Sequence, residues 1–573
     1  MASEIVVGID FGTTYSGVSW AINGGKKTIR VVNDWPNPVS TVATSDKVPS
    51  ALSYQDGQPY HWGYKVDLKE QSLSWFKLLL DPKNKIGQGS DKVMGLIKQL
   101  ATLNKSPEDV AADYLRLLWQ YTKEDIRKHR GGDWEEIYKV RAVLTVPAIW
   151  SPGAQDKTLK IARKAGLPDN ISLVSEPEAA ALAVLREKRE DGEPLRVGDC
   201  FVVCDAGGGT VDLISYKICS LKPFQVEECV MGDGGLCGSV YLDQAFEITI
   251  RNMVGETQWE ELRLKSKRMM MHDFEYYIKR SYAGDKQPYS VDLLDVKDNP
   301  AEGIDNDTIT LKPTMLKTIF DHVINQIMRL VEKQIDEVED KGSNVKAILL
   351  VGGFGTNRYM HKRLDEAHKT TGIQVLQING GWSAICRGAT MWGLEHSQQN
   401  PSPRRTVKSR IARYSYGIVC TLPFDESKGH LLRDRIRGSR GEWRAANQMS
   451  WMLKKGEKVE EGRHIHQPLT QVVPVNLEGT GMYNLWNALW YCADDEPPER
   501  AELSVKELCK VEYGIKRSKL WQEPIYKSPL TGERWRDSTF DLWIRLDQTT
   551  LEFSVKYKDE KVAWTEAKYK ENF

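Results

Sequence analysis

The sequence predicts an α/β unit built by internal duplication, followed by a β-rich domain. Three observations carry that reading. Ile5-Val6-Val7-Gly8-Ile9-Asp10-Phe11-Gly12-Thr13-Thr14-Tyr15-Ser16-Gly17 and Phe201-Val202-Val203-Cys204-Asp205-Ala206-Gly207-Gly208-Gly209-Thr210-Val211-Asp212 are versions of one another. Each is an apolar strand ending in Asp, then a glycine-rich turn carrying Thr, then a second apolar strand. A third strand, Val345-Lys346-Ala347-Ile348-Leu349-Leu350-Val351, runs into Gly352-Gly353. Beyond residue 405 hydrophobicity alternates, as in 410–422 and in Phe540-Leu542-Ile544-Leu546 followed by Leu551-Phe553-Val555-Tyr557, the pattern of antiparallel strands.

The elements between these landmarks follow in order. Ala142-Val143-Leu144-Thr145-Val146 is a β-branched strand ended by Pro147, and residues 154–165 have helical composition up to Gly166. A short strand at 171–174 precedes Glu176-Pro177, where proline in the first turn opens an alanine-rich helix over 178–188. Charged helical stretches follow at 258–280 and 313–338. Residues 398–408 are polar, basic and proline-containing, and are expected to form a linker between a unit at 1–397 and a domain at 409–573. Tryptophans at 443, 451, 486, 490, 521, 535, 543 and 564 are expected mostly as core of that domain.

Bulk composition excludes several classes. Lys plus Arg and Asp plus Glu are equal at 79 each, so no overall field draws the 573-residue chain to nucleic acid or an anionic membrane. No run reaches the length of a membrane span, and the start of the chain lacks a signal-peptide pattern, which together predict a cytoplasmic location. Nine cysteines include no Cys-x-x-Cys, arguing against structural zinc and a disulfide framework. Cys200 and Cys204 read as buried strand residues.

The chemistry is expected at the hairpins. A carboxylate at a strand end can hold Mg²⁺ directly or through water, and glycines let backbone N–H groups approach phosphate oxygens. Neither glycine turn opens a helix as a dinucleotide fingerprint does, and the P-loop signature is missing, so two facing hairpins suggest ATP.

Together with Thr145-Val146-Pro147-Ala148, Ser175-Glu176-Pro177 and Leu350-Val351-Gly352-Gly353, the hairpins make residues ~4–396 resemble the nucleotide-binding domain of the Hsp70 chaperones, in the actin, sugar kinase and Hsp70 superfamily. The divergence between motifs resembles the branch that includes the Hsp70 member 12 proteins and fungal homologues. The resemblance implies a two-lobed, actin-like (duplicated ribonuclease H-like) ATPase domain, with lobes at about 1–200 and 201–397. By the same resemblance, Gly12, Thr13, Thr14, Tyr15, Gly207, Gly208 and Gly209 contact phosphates, and Glu275, Lys279, Gly352 and Gly353 line the adenosine side. Asp10, Asp205 and Asp212 would position Mg²⁺, and Lys77, Glu176, Asp205 and Thr210 would form the catalytic set, with ATP or ADP as ligand.

Departures from the family pattern temper the functional expectation. Its interdomain arginine is replaced by Gln155, an acid near Ser383 by Trp382, and the acidic residues after Gly232-Asp233-Gly234-Gly235 are missing. Lys279 is displaced by one residue along its helix. The stretch after 405 is short for a sandwich plus a long helical lid. Slow ATP hydrolysis coupled to holding a polypeptide client or partner is the first expectation. A small-molecule ATP-dependent enzyme and a nucleotide-binding pseudo-ATPase are the alternatives.

Overall fold

The computed structural model describes residues 3–24, 28–37, 44–67, 70–81, 91–190, 195–377, 380–397, 406–460, 462–475, 481–547, 550–562 and 564–569. They form two compact units, Met1–Thr406 and Val407–Phe573. Residues 398–405 of the expected linker lie outside the described residues, and its last positions, Val407 and Lys408, already belong to strand Val407–Ile411.

Duplication in the sequence is duplication of topology. In the first lobe, strand Glu4–Asp10 pairs antiparallel with Tyr15–Asn23, Asp10 opposite Gly17, and parallel with Lys139–Val146, which pairs parallel with Ile171–Ser175. In the second, Cys200–Ala206 pairs antiparallel with Val211–Leu221, Asp205 opposite Asp212, and parallel with Val345–Val351, which pairs parallel with Gln374–Gln377. Both Asp-bearing strands are buried along their whole length. Parallel crossovers put helices on both sheet faces, so the central strands are apolar throughout.

Each lobe has its own core. Ile5, Val7, Ile9, Trp20 and Leu144 pack with Val110, Leu115 and Leu118 of helix Pro107–Arg130, and Val202, Cys204, Leu213, Ile348 and Leu350 with Ile319, Val323 and Ile327 of helix Pro313–Asp340. The first of these helices starts at a capping box, Ser106 with Asp109, and proline at its first turn. All nine cysteines are free, and Cys200 and Cys204 are buried in the central strand as expected.

The division of the lobes near residue 200 needs one correction. Helix Ala384–Glu395 belongs to the first lobe: the Gly8 N–H donates to Thr390 Oγ1 at 3.0 Å and Ser19 Oγ to the Cys386 carbonyl at 3.0 Å. Its uncharged face of Ala384, Cys386, Ala389 and Thr390 is buried, and the first-lobe sheet supplies the matching surface.

The second unit contains two antiparallel sheets. One runs in the order Arg435–Arg437, Trp443–Leu453, Ser415–Pro423, Met482–Cys492, Val505–Lys516, Trp564–Tyr569. The other is built on His464–Pro474, Arg534–Asp547 and Thr550–Tyr557. Tyr416, Leu489, Val511, Tyr513 and Ile515 from the first meet Leu469, Val473, Phe540, Leu542 and Val555 from the second in one core, a β-sandwich. The expectation of a tryptophan core is overturned. Trp451, Trp490, Trp535 and Trp543 are only half-buried, the first two against a small cluster at Met449, Cys492 and Val505, and Trp443, Trp486 and Trp521 are exposed. Smaller aliphatic residues, Tyr and Phe fill the narrow space between the sheets. Cations cover several indoles instead, with Arg437 3.7 Å from the Trp443 ring centroid and Lys510 4.6 Å from that of Trp486. Among the described residues no helix is long and apolar enough to cross a membrane.

Candidate active site

A cleft of ≈ 270 Å³ lies where the two Asp hairpins face each other in the first unit. The carbonyls of Gly207, Gly208 and Gly209 accept bonds from the N–H groups of Ser239, Val240 and Gly238 at 3.1, 2.9 and 3.2 Å. Because a trans peptide points its N–H opposite its carbonyl, the N–H groups of Gly208, Gly209 and Thr210 turn the other way, toward the cleft these residues line. The first loop is fixed from behind by Ser50, whose Oγ donates to the Gly12 carbonyl at 2.7 Å and whose N–H donates to that of Thr14 at 2.8 Å. The loops touch: a Cβ at Gly208 would collide with the Thr14 side chain, so only glycine allows this approach.

Between the loops sit buried carboxylates and two lysines. Lys77, 3% exposed, lies in a 3₁₀ turn, Phe76–Leu80, entered through Trp75 at φ 65°. Its ammonium is 2.7 Å from Glu176 Oε1 and rests over the rings of Phe11 and Trp150, with centroids at 5.5 and 5.4 Å. Glu176 is pushed up to about 7 by burial, with Lys77 opposing and the charges of Asp10 and Asp212 adding to the rise. Asp205 is raised well above the usual carboxylate range by burial and then by the neighbouring charge of Glu176. The Lys47 ammonium lies 2.5 Å from Asp10 Oδ2. Burial alone would lower the Lys47 pKa, but the charges of Asp10 and Asp205 outweigh it, and the net direction is upward.

On the opposite side of the cleft, Gly352 turns at φ +80°, and a Cβ there would strike the Ala206 carbonyl and Asp205 Oδ1. The Tyr15 and Trp382 rings meet edge to face at 5.6 Å. Tyr15 donates to Tyr276 Oη at 3.1 Å, and Arg280 stacks over Tyr276 at 4.9 Å. The one-residue displacement of Lys279 has a structural counterpart: Phe274–Ile278 is a π-helical turn, which accommodates one extra residue. The Lys279 ammonium is held by Asp243 at 2.7 and 2.9 Å, so this residue lines the cleft with its charge already paired.

Of the residues expected from sequence, Asp10, Gly12, Thr13, Thr14, Tyr15, Lys77, Glu176, Asp205, Gly207, Gly208, Gly209, Thr210, Glu275, Lys279, Gly352 and Gly353 all line the cleft. Asp212 does not. It is fully buried behind the wall, its Oδ1 accepting from the Ile149 N–H at 3.1 Å. Gln155, in place of the expected arginine, donates from Nε2 to the Trp150 carbonyl at 3.1 Å and so braces the ring beneath Lys77. Sequence reading did not assign Lys47, Ser239, Arg280, Phe354, Thr356, Asn357, Trp382 or Ile385 to the site.

A divalent cation fits this donor set only indirectly. Asp205 Oδ1, at the cleft, is buried without a hydrogen-bond partner and is a carboxylate oxygen, the donor type Mg²⁺ selects. No group of three metal-ligating side chains occurs among the described residues, so the ion would be held through waters and phosphate oxygens.

Comparison with known proteins agrees with this geometry. The family model described as "Hsp70 protein" matches residues 83–390, and one described as "Domain of unknown function (DUF8568)" matches 410–571. Heat shock 70 kDa protein 12A of Homo sapiens is 25% identical over 514 residues, covering 74% of this chain and 73% of that protein. Heat shock 70 kDa protein 12B of Homo sapiens is 23% identical over 505 residues, covering 73% and 71%. Chaperone protein DnaK of Mycoplasmopsis agalactiae is 25% identical over 356 residues, covering 62% and 53%. With more than half of its length matched by the Hsp70 model, the chain belongs to the Hsp70 family and has its two-lobed, actin-like ATPase fold followed by a β-rich C-terminal region.

Proposed function

We propose that this chain binds ATP and ADP with Mg²⁺ in the cleft, hydrolyses ATP slowly, and uses the reaction to time the holding of a polypeptide by the second unit in the cytoplasm. The observation that carries this reading is the buried Lys77–Glu176 pair in the cleft lined by the two glycine- and threonine-bearing loops. Phosphoryl transfer needs positioning and charge neutralisation more than covalent chemistry, and these parts provide both. Thr13, Thr14 and the N–H groups of Gly208 to Thr210 hold the β- and γ-phosphates. Lys77 neutralises charge on the transferred group and orients Glu176. The Glu176 carboxylate takes a proton from the attacking water, whose oxygen bonds phosphorus as the bond to the β-phosphate oxygen breaks, giving ADP and phosphate. Asp205, whose Oδ1 has no hydrogen-bond partner, would hold Mg²⁺ through its waters, and the bound ion would neutralise charge on the phosphate oxygens.

Single-turnover hydrolysis of Mg-ATP by the full chain tests the reading. A slow phase that responds to extended apolar peptide is expected. Turnover that instead requires a small-molecule acceptor would replace it with the metabolic-enzyme alternative, and binding with no turnover would leave the pseudo-ATPase.

A further inference from the structure

Lys47 has no part in the mechanism above, yet it is a buried, ion-paired cation lining the cleft. It precedes the short strand Val48–Pro49, which pairs with the start of Tyr15–Asn23, Ser16 opposite Val48. Its carbonyl accepts from Ser45 Oγ at 2.8 Å and from Tyr64 Oη at 3.0 Å. Its stem runs beside Gly17, where a Cβ would stand 3.1 Å from Lys47 Cγ. The side chain is buried and its ammonium reaches Asp10 Oδ2 at the cleft wall. Such a lysine is a fixed charge, held from both ends, beside the space the phosphates would fill. On the facing hairpin, Asp205 Oδ1 is buried without a hydrogen-bond partner among the described residues.

We propose that Lys47 is a built-in cation of the nucleotide site: its ammonium takes the place of a divalent ion at Asp10, so that a nucleoside diphosphate binds this chain with little dependence on divalent metal. This rests on the nucleotide-binding reading. A carboxylate oxygen already paired at 2.5 Å is a poorer acceptor for the waters of hydrated Mg²⁺, an ion that gives them up reluctantly. The same ammonium is close enough to the cleft to attract phosphate oxygens by direct Coulomb interaction in a low-dielectric wall.

Calorimetric titration of ADP into the full chain, with Mg²⁺ and with EDTA, tests this on the wild type, Lys47→Met and Lys47→Arg. EDTA should weaken wild-type binding by less than about tenfold and Lys47→Met binding by about 100-fold or more, with Lys47→Arg following the wild type. A wild-type loss above about tenfold in EDTA overturns the proposal, as does an equal EDTA penalty in wild type and Lys47→Met. Should Lys47→Met fail to melt cooperatively, the wild type and Lys47→Arg still decide. Absence of any heat with Mg-ADP would refute the nucleotide reading itself, and binding with Mg²⁺ that EDTA abolishes would refute this inference alone.

Discussion

The two Asp hairpins share backbone, register and neighbours in the sheet, yet their charges are handled in opposite ways. Asp10 faces a buried ammonium at 2.5 Å, whereas Asp205 has an oxygen without a partner, and burial with the nearby charge of Glu176 raises its pKa well above the usual carboxylate range. Duplication therefore copied the loop that approaches phosphate, while side chains from elsewhere made the copies unequal. Lys47 arrives from the loop before Val48–Pro49, and Glu176 from the helix after Ile171–Ser175. One aspartate has the Lys47 ammonium in direct contact, and the other feels the same charge without a bond to it.

The largest expected effect breaks this asymmetry at Asp10. Asp10→Asn leaves the Lys47 ammonium buried and uncompensated, which should cost about 3–5 kcal/mol in urea unfolding. Asp10→Asn combined with Lys47→Met should recover most of that loss. Equal stability of Asp10→Asn and wild type would mean that Lys47 is solvated and the two hairpins are alike.

Next in size is Glu176→Gln, which should slow single-turnover hydrolysis by about 100-fold while ADP affinity changes little. Because burial pushes the Glu176 carboxyl up to about 7, its base form grows as pH rises, and wild-type kcat/KM should climb through that pH and level off above it. A flat profile across neutral pH would remove Glu176 from the role of base. Gly352→Ala should follow, at about 1–3 kcal/mol of stability, since φ +80° strains any other residue and the new methyl presses on Asp205.

Much of this site was legible because its parts are local. An apolar run ending in Asp, followed within a few residues by Gly and Thr, defines a strand, a turn and a phosphate-facing carboxylate at once, and Gly352 announces a close approach in the same way. Lys47 was not legible, since it meets Asp10 only through the pairing of Tyr15–Asn23 with Val48–Pro49 across a loop. Asp212 was assigned to the metal from its motif, but it does not line the cleft, and its Oδ1 accepts from the Ile149 N–H, a partner distant in sequence. The helix Ala384–Glu395 returned to the first lobe because its fit is decided by a distant sheet. In the second unit, period-two alternation revealed strands such as Arg534–Asp547, whereas tryptophan burial depends on the gap between sheets, which no single strand encodes.

The smallest effect probes the facing hairpin. Asp205 is raised in the folded protein by burial and by Glu176, while the unfolded chain titrates near its ordinary 3.8. Below that value both states hold the proton and the group adds no pH dependence. As pH rises past it, the unfolded chain releases the proton first, so this group's contribution to stability is lost progressively until the folded-state pKa is reached. Asp205→Asn removes the penalty and keeps the shape of the protonated acid. Its melting temperature without nucleotide should therefore match or slightly exceed that of wild type at about pH 5, with the gap widening toward about pH 8. A variant that melts below wild type at both pH values would show that Asp205 is stabilised as an anion in the empty cleft, and the contrast with Asp10 would reduce to which cation each hairpin has found.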